Sequence, residues 1–268
     1  MICLGAAYKG GVPFGGNGLF GGNGAGSGAE AGRGAGADGE AAGFPVFSDA
    51  EPSKSIAEAA PELIPDYDGR DVIELNGNRP GFTKYDRENF SGESYSEPDE
   101  LGRCGSAMAL LHWSMMPEAE RGQIGEIRPS GWRQKKYPGI IDSEPPFLYH
   151  RCHLIAYSLT GQNANERNLI TGTEYMNMEL MRPLEISVAR VLDDSDEHVL
   201  YRATPYFKGR ETVARGVELE ALSLEDRGVD VCFHVFLYNV QPGIEIDYAT
   251  GESRADHPRP REQTGNSK

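Results

Sequence analysis

Apolar and polar positions along the chain follow two periods, and the change between them marks the elements. Val199 to Phe207 and Val231 to Val240 are strand-like, the second so uniformly apolar that it predicts a central strand. Val217-Glu218-Leu219-Glu220-Ala221 alternates strictly, which predicts a strand with one wet face. Ile244 to Tyr248 reads as a further strand ending at the Ala249-Thr250-Gly251 turn. Before these strands the period lengthens. Pro183 starts or kinks a helix with Leu184, Val188, Val191 and Leu192 on one face, closed by Asp193 to Asp196. Upstream, Asp71 to Leu75 runs into Asn76-Gly77, a two-residue hairpin signal with Phe82-Thr83 on the return side. Residues 84–100 are polar and turn-rich, and Cys104 to Met116 carries Met108, Leu111 and Met115 at helical spacing before Pro117. The expected fold class is α+β, an antiparallel sheet with packed helices.

The stretch from Phe147 to Asn177 organises the rest. An aromatic and aliphatic run ends at His153, and a polar, Asn-rich loop follows from Thr160 to Asn168. Leu169-Ile170-Thr171 forms a second short strand broken by Gly172, and a helix-like segment opened by Thr173-Glu174 carries Asn177 in its first turn. This order suits metal-assisted phosphodiester hydrolysis. A histidine near its ordinary pKa of about 6.5 is a competent base at neutral pH. Magnesium keeps most of its waters and needs few protein oxygens. The neutral carbonyl of Asn177 holds such an ion without cancelling its charge. Asn168 either holds water around the ion or fixes the loop, and Glu185 orients waters. The plainer alternatives are a structural histidine and an ordinary turn.

Composition changes the picture at the ends of the chain. Sixteen of the 34 glycines lie in the first 43 residues, which bury too little apolar surface to offset backbone entropy. Residues 1–60 are therefore expected to be disordered, residues 61–252 to form one domain, and 253–268 to be a loose tail. The opening MICLGAAYKGG is too short in its apolar part for a signal peptide, and no stretch reaches membrane-spanning length. Cys3, Cys104, Cys152 and Cys232 are scattered singly, which is neither a zinc-ribbon pattern nor a disulfide framework.

Charge argues at first against a polyanionic partner, since the formal net charge is −15. The answer lies in Arg128-Pro-Ser-Gly-Trp-Arg-Gln-Lys-Lys-Tyr137. There Arg128, Arg133, Lys135 and Lys136 flank Trp132, so a locally basic arm with an aromatic is available to phosphates and bases. The alternative is a solvated loop whose tryptophan packs inward.

His150-Arg151-Cys152-His153-Leu154-Ile155 resembles the Asp-Arg-Gly-His motif of the DNA/RNA non-specific endonucleases, in the ββα-metal (His-Me finger) superfamily. Asn168 and Asn177 resemble that family's paired asparagines, and Glu185 its water-orienting glutamate. The segments Tyr201 to Tyr206 and Tyr238 to Gly251 are similar to the C-terminal sheet of secreted and surface DNases of Gram-positive bacteria. The resemblance implies a metal-dependent nuclease cutting DNA, with RNA as an alternative substrate, and an extracellular or cell-surface location. It implies His153 as general base and Asn177 as ligand to magnesium (or manganese in its place); Arg151 contacts phosphate or is a structural pair, and next to a nuclease-like site Trp132, Arg133, Lys135 and Lys136 become the substrate arm. The chain departs from the motif at His150 and Cys152. Two other classes stand beside this reading. One is a zinc-stabilised module using Cys104, His150, Cys152 and His153; the other is an inactive nucleic-acid-binding protein of the same fold.

Overall fold

A computed structural model describes residues 44–256; expectations for 1–43 and 257–268 lie outside the described residues. The elements in chain order are α1 (Ile56–Ala59), β1 (Val72–Glu74), α2 (Lys84–Asn89), β2 (Glu93–Tyr95), β3 (Ala107–Leu111), β4 (Tyr149–His153), α3 (Tyr157–Thr160), β5 (Leu169–Thr173), a π-helical stretch (Met176–Met181) continuing into α4 (Arg182–Asp194), and then β6 (Val199–Tyr206), β7 (Gly216–Ser223), β8 (Cys232–Tyr238), β9 (Ile244–Ile246) and β10 (Ser253–Ala255). Six strands form one antiparallel sheet in the order β1-β8-β7-β6-β3-β2. The β4–β5 hairpin is a separate antiparallel pair, and β9 pairs with β10. The fold is α+β, as the sequence pattern predicts.

Helix α4 packs its buried Val188 and Leu192 into the same core as Tyr201, Val217 and Leu219 of the sheet. The core also takes Cys152, Leu154 and Ile155 from the hairpin strand β4 and the residues just after it, so sheet, helix and hairpin share one apolar interior. Pro183 does more than start the helix. It lacks an N–H, and just ahead of it the Arg182 N–H reaches back five residues to the Asn177 carbonyl, a wide turn of the kind found at functional sites.

Several expectations change. Cys104 to Met116 is not a helix. Ala107, Ala109 and Leu111 are buried while Met108 and Leu110 are half-covered, a period of two, and pairing with β2 and β6 on both sides overrides the helical spacing of the methionines. Only Trp113–Met115 makes a single 3-10 turn. Asn76 and Gly77 do turn the chain, at φ 48° and 62°, but no return strand follows, and β1 pairs instead with β8. Phe82 is buried and Thr83 caps α2. The wet face expected on Val217 to Ala221 is absent, because Glu218 and Glu220 are each 1% exposed.

The ordered body also exceeds the expected 61–252. Upstream, Ser55 caps α1 and Ile56 is buried against Leu75 and Phe236; downstream, β10 extends the structure through Ala255. The upstream segment is held by charge. Glu218 accepts from the backbone N–H groups of Ile56 and Ala57 at 2.9 and 2.6 Å, and Glu220 from that of Gly81 at 2.6 Å. Arg202 pairs with Glu220 and donates to the carbonyl and hydroxyl of Ser53 at 3.0 and 2.9 Å.

Candidate active site

The hairpin and the following helix bring the motif together, and a few buried amides fix them to the sheet. Asn239, fully buried, accepts from the Thr173 N–H at 2.8 Å and donates to the carbonyls of Thr171 and Ala214 at 3.0 Å each. Gln241 accepts from the Tyr175 N–H at 3.0 Å. The departure at Cys152 has a steric counterpart. A Cβ on Gly172, across the hairpin, would lie 2.6 Å from Cys152 Cβ, so the missing side chain on one strand admits the thiol on the other.

His153 ends β4, 6% exposed. Its Nε2 faces the Asn163 carbonyl at 2.9 Å and therefore carries the hydrogen; Nδ1, 3.2 Å from Arg121 Nη2, carries the lone pair. Burial, helped by the Arg121 charge and opposed by the bond to Asn163, brings the imidazole down to about 4. It is neutral at physiological pH, as a base must be.

His150 leaves β4 in another direction and meets Asn177, with Nδ1 3.1 Å from Asn177 Nδ2. Burial and then Arg121 lower the His150 pKa, so this ring too is neutral and accepts from the amide. The Asn177 amide is thereby turned so that its NH2 points at His150, and that is the one side-chain hydrogen bond it makes among the described residues, leaving Oδ1 available. An oxygen in that position suits a hard cation such as magnesium. Glu185, half-buried in the first turn of α4, is pushed up to about 8 by burial, against the charges of Arg121 and Arg182.

The other expected site residues fare differently. Asn168 is fully buried, and its amide bonds both the N–H and the carbonyl of Ile155 at 2.9 Å, so it fixes the loop. Arg151 donates to the carbonyls of Ile127 and Gly125 and lies 4.3 Å over the Trp132 ring, so it braces the preceding loop. Trp132 packs partly buried on Tyr149 in a small cluster with Tyr137 and Leu148. Arg128, Arg133, Lys135 and Lys136 are exposed. An open pocket of about 390 Å³ lies beside them, lined by Arg128, Trp132, Arg133, Gln134, Lys135 and Glu252.

The zinc module fails on its thiols. Cys104 donates to the carbonyls of Glu166 and Leu169 at 3.1 Å, and burial lifts it to about 11; Cys152 lies buried against Met181 Sδ at 3.4 Å. Among the described residues one group of three brings ligand atoms within 4.8 Å: Glu218, Glu220 and His234. Both nitrogens of His234 face acceptors, Glu218 Oε1 at 2.7 Å and the Arg79 carbonyl at 2.9 Å, so both carry hydrogens and the ring is a cation. With Arg202 this is a charge-balanced network without a lone pair to offer on its histidine.

Arg121 and Asn163 are the residues the sequence did not single out. Both lie in polar loops, where no periodicity marks them.

The sequence model of the DNA/RNA non-specific endonuclease family matches residues 83–224, more than half of the chain and all of this site. The chain belongs to that family. A deoxyribonuclease of Streptococcus dysgalactiae subsp. equisimilis is 33% identical over 116 residues, 41% of this chain and 34% of that protein, so the match spans about a third of the relative. The structure resembles NucA from Streptococcus agalactiae with magnesium bound, at TM-score 0.60 and 24% identity over 69% of this chain and 88% of that one. It also resembles the Sda1 nuclease with bound zinc, at TM-score 0.53 and 26% identity over 62% and 81%. No helix of the described residues is long and apolar enough to cross a membrane.

Proposed function

We propose that this protein is a metal-dependent, sequence-non-specific endonuclease that hydrolyses phosphodiester bonds of DNA, with RNA as an alternative substrate, through a His-Me finger site. The observation that carries this reading is the polarity of His153: Nε2–H is committed to the Asn163 carbonyl, so Nδ1 presents the lone pair. In this reading His153 takes a proton from water at Nδ1. Asn177 Oδ1, oriented by His150, holds a divalent cation, magnesium or manganese in its place. The ion supplies positive charge for the developing negative charge on phosphate. Glu185, its carboxyl raised by burial in the ion-free site, orients water beside the cation. Arg128, Arg133, Lys135 and Lys136 give an otherwise acidic molecule a local grip on phosphate. The likeness to NucA with magnesium bound and to the Sda1 nuclease with bound zinc supports a cation here, and an extracellular or cell-surface location is part of the same proposal.

Plasmid nicking tests the reading. Supercoiled DNA should be nicked with magnesium and left intact with EDTA, and the His153→Ala protein should be inert under both conditions. Nicking that survives EDTA would remove the metal from the proposal.

A further inference from the structure

We propose that Arg121 is a substrate-released cap on His153, its guanidinium holding the one free lone pair of the imidazole until a phosphodiester draws it away. The inference rests on the nuclease reading and adds the order in which the site becomes ready. His153 has a single acceptor because Nε2–H is spent on Asn163, and that acceptor, Nδ1, receives Arg121 Nη2 at 3.2 Å. A base whose lone pair is occupied takes no proton from water.

Arg121 is suited to leave. Among the described residues it has no carboxylate partner, and the neutral imidazole is its one hydrogen-bond partner; Arg202 and Arg215, by contrast, are paired with glutamates. It lies in an exposed segment without helix or strand, tethered nearby by Tyr157 Oη on the Ala119 carbonyl at 2.8 Å. The guanidinium can swing without breaking a ladder. Its charge also lowers the pKa of the neighbouring His150 and opposes the upward shift of Glu185. A phosphate oxygen is the better acceptor, because it adds the attraction of a full negative charge and a two-pronged geometry that one neutral imidazole nitrogen does not offer. One movement thus recruits the phosphate and frees the base, and water is not activated before polymer arrives.

Side-chain 15N NMR of the full chain tests this in magnesium-free buffer, with a short duplex DNA as the probe and binding followed by fluorescence anisotropy of the labelled duplex. The His153 Nδ1 resonance should move in Arg121→Ala to the position of an unbonded lone pair. In the unaltered protein it should move the same way when DNA is added. Steady-state nicking should show KM raised about tenfold in Arg121→Ala, with kcat lowered less than about threefold, a split that a merely structural role would not give. The same Nδ1 resonance with and without Arg121, DNA that binds without moving it, or DNA that does not bind at all would each overturn the cap. Full nicking activity in His153→Ala would instead sink the base assignment and leave the NMR comparison readable.

Discussion

Two regions of this molecule are built around buried histidines, and they are opposite in chemistry. Beneath the N-terminal segment, His234 lies between Glu218, Glu220 and the Arg79 carbonyl, with Arg202 completing the balance. In the hairpin, buried His153 and half-buried His150 lie near Arg121, without a carboxylate in hydrogen-bond contact with either ring. Burial opposes the charge on His234, but the bond to Glu218 and the charges of Glu220 and Glu218 outweigh it and raise the pKa. Burial lowers both hairpin histidines, and a cation lowers them further. Burial therefore accompanies a cation in one place and a neutral imidazole in the other. What differs is the sign of the nearest charge. The network uses every polar atom to hold the chain; the hairpin leaves an oxygen on Asn177 and a weakly held lone pair on His153, and unspent groups are what chemistry needs.

The largest effect that should separate the regions is on stability. Glu220→Ala leaves Arg202 buried without its partner and should cost about 3–5 kcal/mol, read from urea unfolding, with nicking retained while the protein is folded. An unchanged urea midpoint would mean that the network is not what holds residues 51–82 to the sheet. Next, His153→Ala should lower kcat by about 100-fold or more at nearly unchanged KM, because a general base acts in the transition state. Asn177→Ala should likewise abolish activity or shift its magnesium titration. A titration like that of the unaltered protein would place the ligand elsewhere.

The pH dependence of stability should differ in sign. The folded pKa of His153 is depressed from 6.5 to about 4, so the unfolded chain binds the extra proton and stability falls as pH drops through that window. His153→Gln should flatten this acid limb by about 1–3 kcal/mol. His234 is raised, so its contribution is full below 6.5 and is lost as pH rises through its folded value; His234→Gln should flatten the alkaline limb. Melts from pH 4 to 9 decide it, and the same limb flattening in both variants would erase the contrast. The smallest effect belongs to the basic loop. Replacing Arg133, Lys135 and Lys136 by Ser should raise KM at moderate salt and flatten its salt dependence by roughly one log–log unit per lost contact, alike on random and homopolymer duplexes. Superimposable salt curves would make the loop ordinary surface.

The sequence by itself determined the strand-loop-strand-helix order, because apolar runs of period two, a glycine break and a capped amphipathic stretch are local signals. It also pointed to His153 and Asn177 through their places in that order. Local signals could not say that Cys104 to Met116 would be drawn into a strand, since its helical spacing and its alternation were both present and only the neighbours β2 and β6 chose between them. Nor could they say that the glutamates of β7 would be buried, because the cations that make burial tolerable come from β6 and β8, some 14 to 18 residues away along the chain. The same holds at the site. Asn168 and Asn177 look equivalent in sequence, yet one has both amide atoms taken by Ile155 and the other is turned outward by His150. Arg121 is one exposed arginine in a polar loop until the fold sets it 3.2 Å from an imidazole 32 residues on. Which polar groups are spent and which remain free depends on partners distant in the chain, and only the tertiary structure brings those partners together.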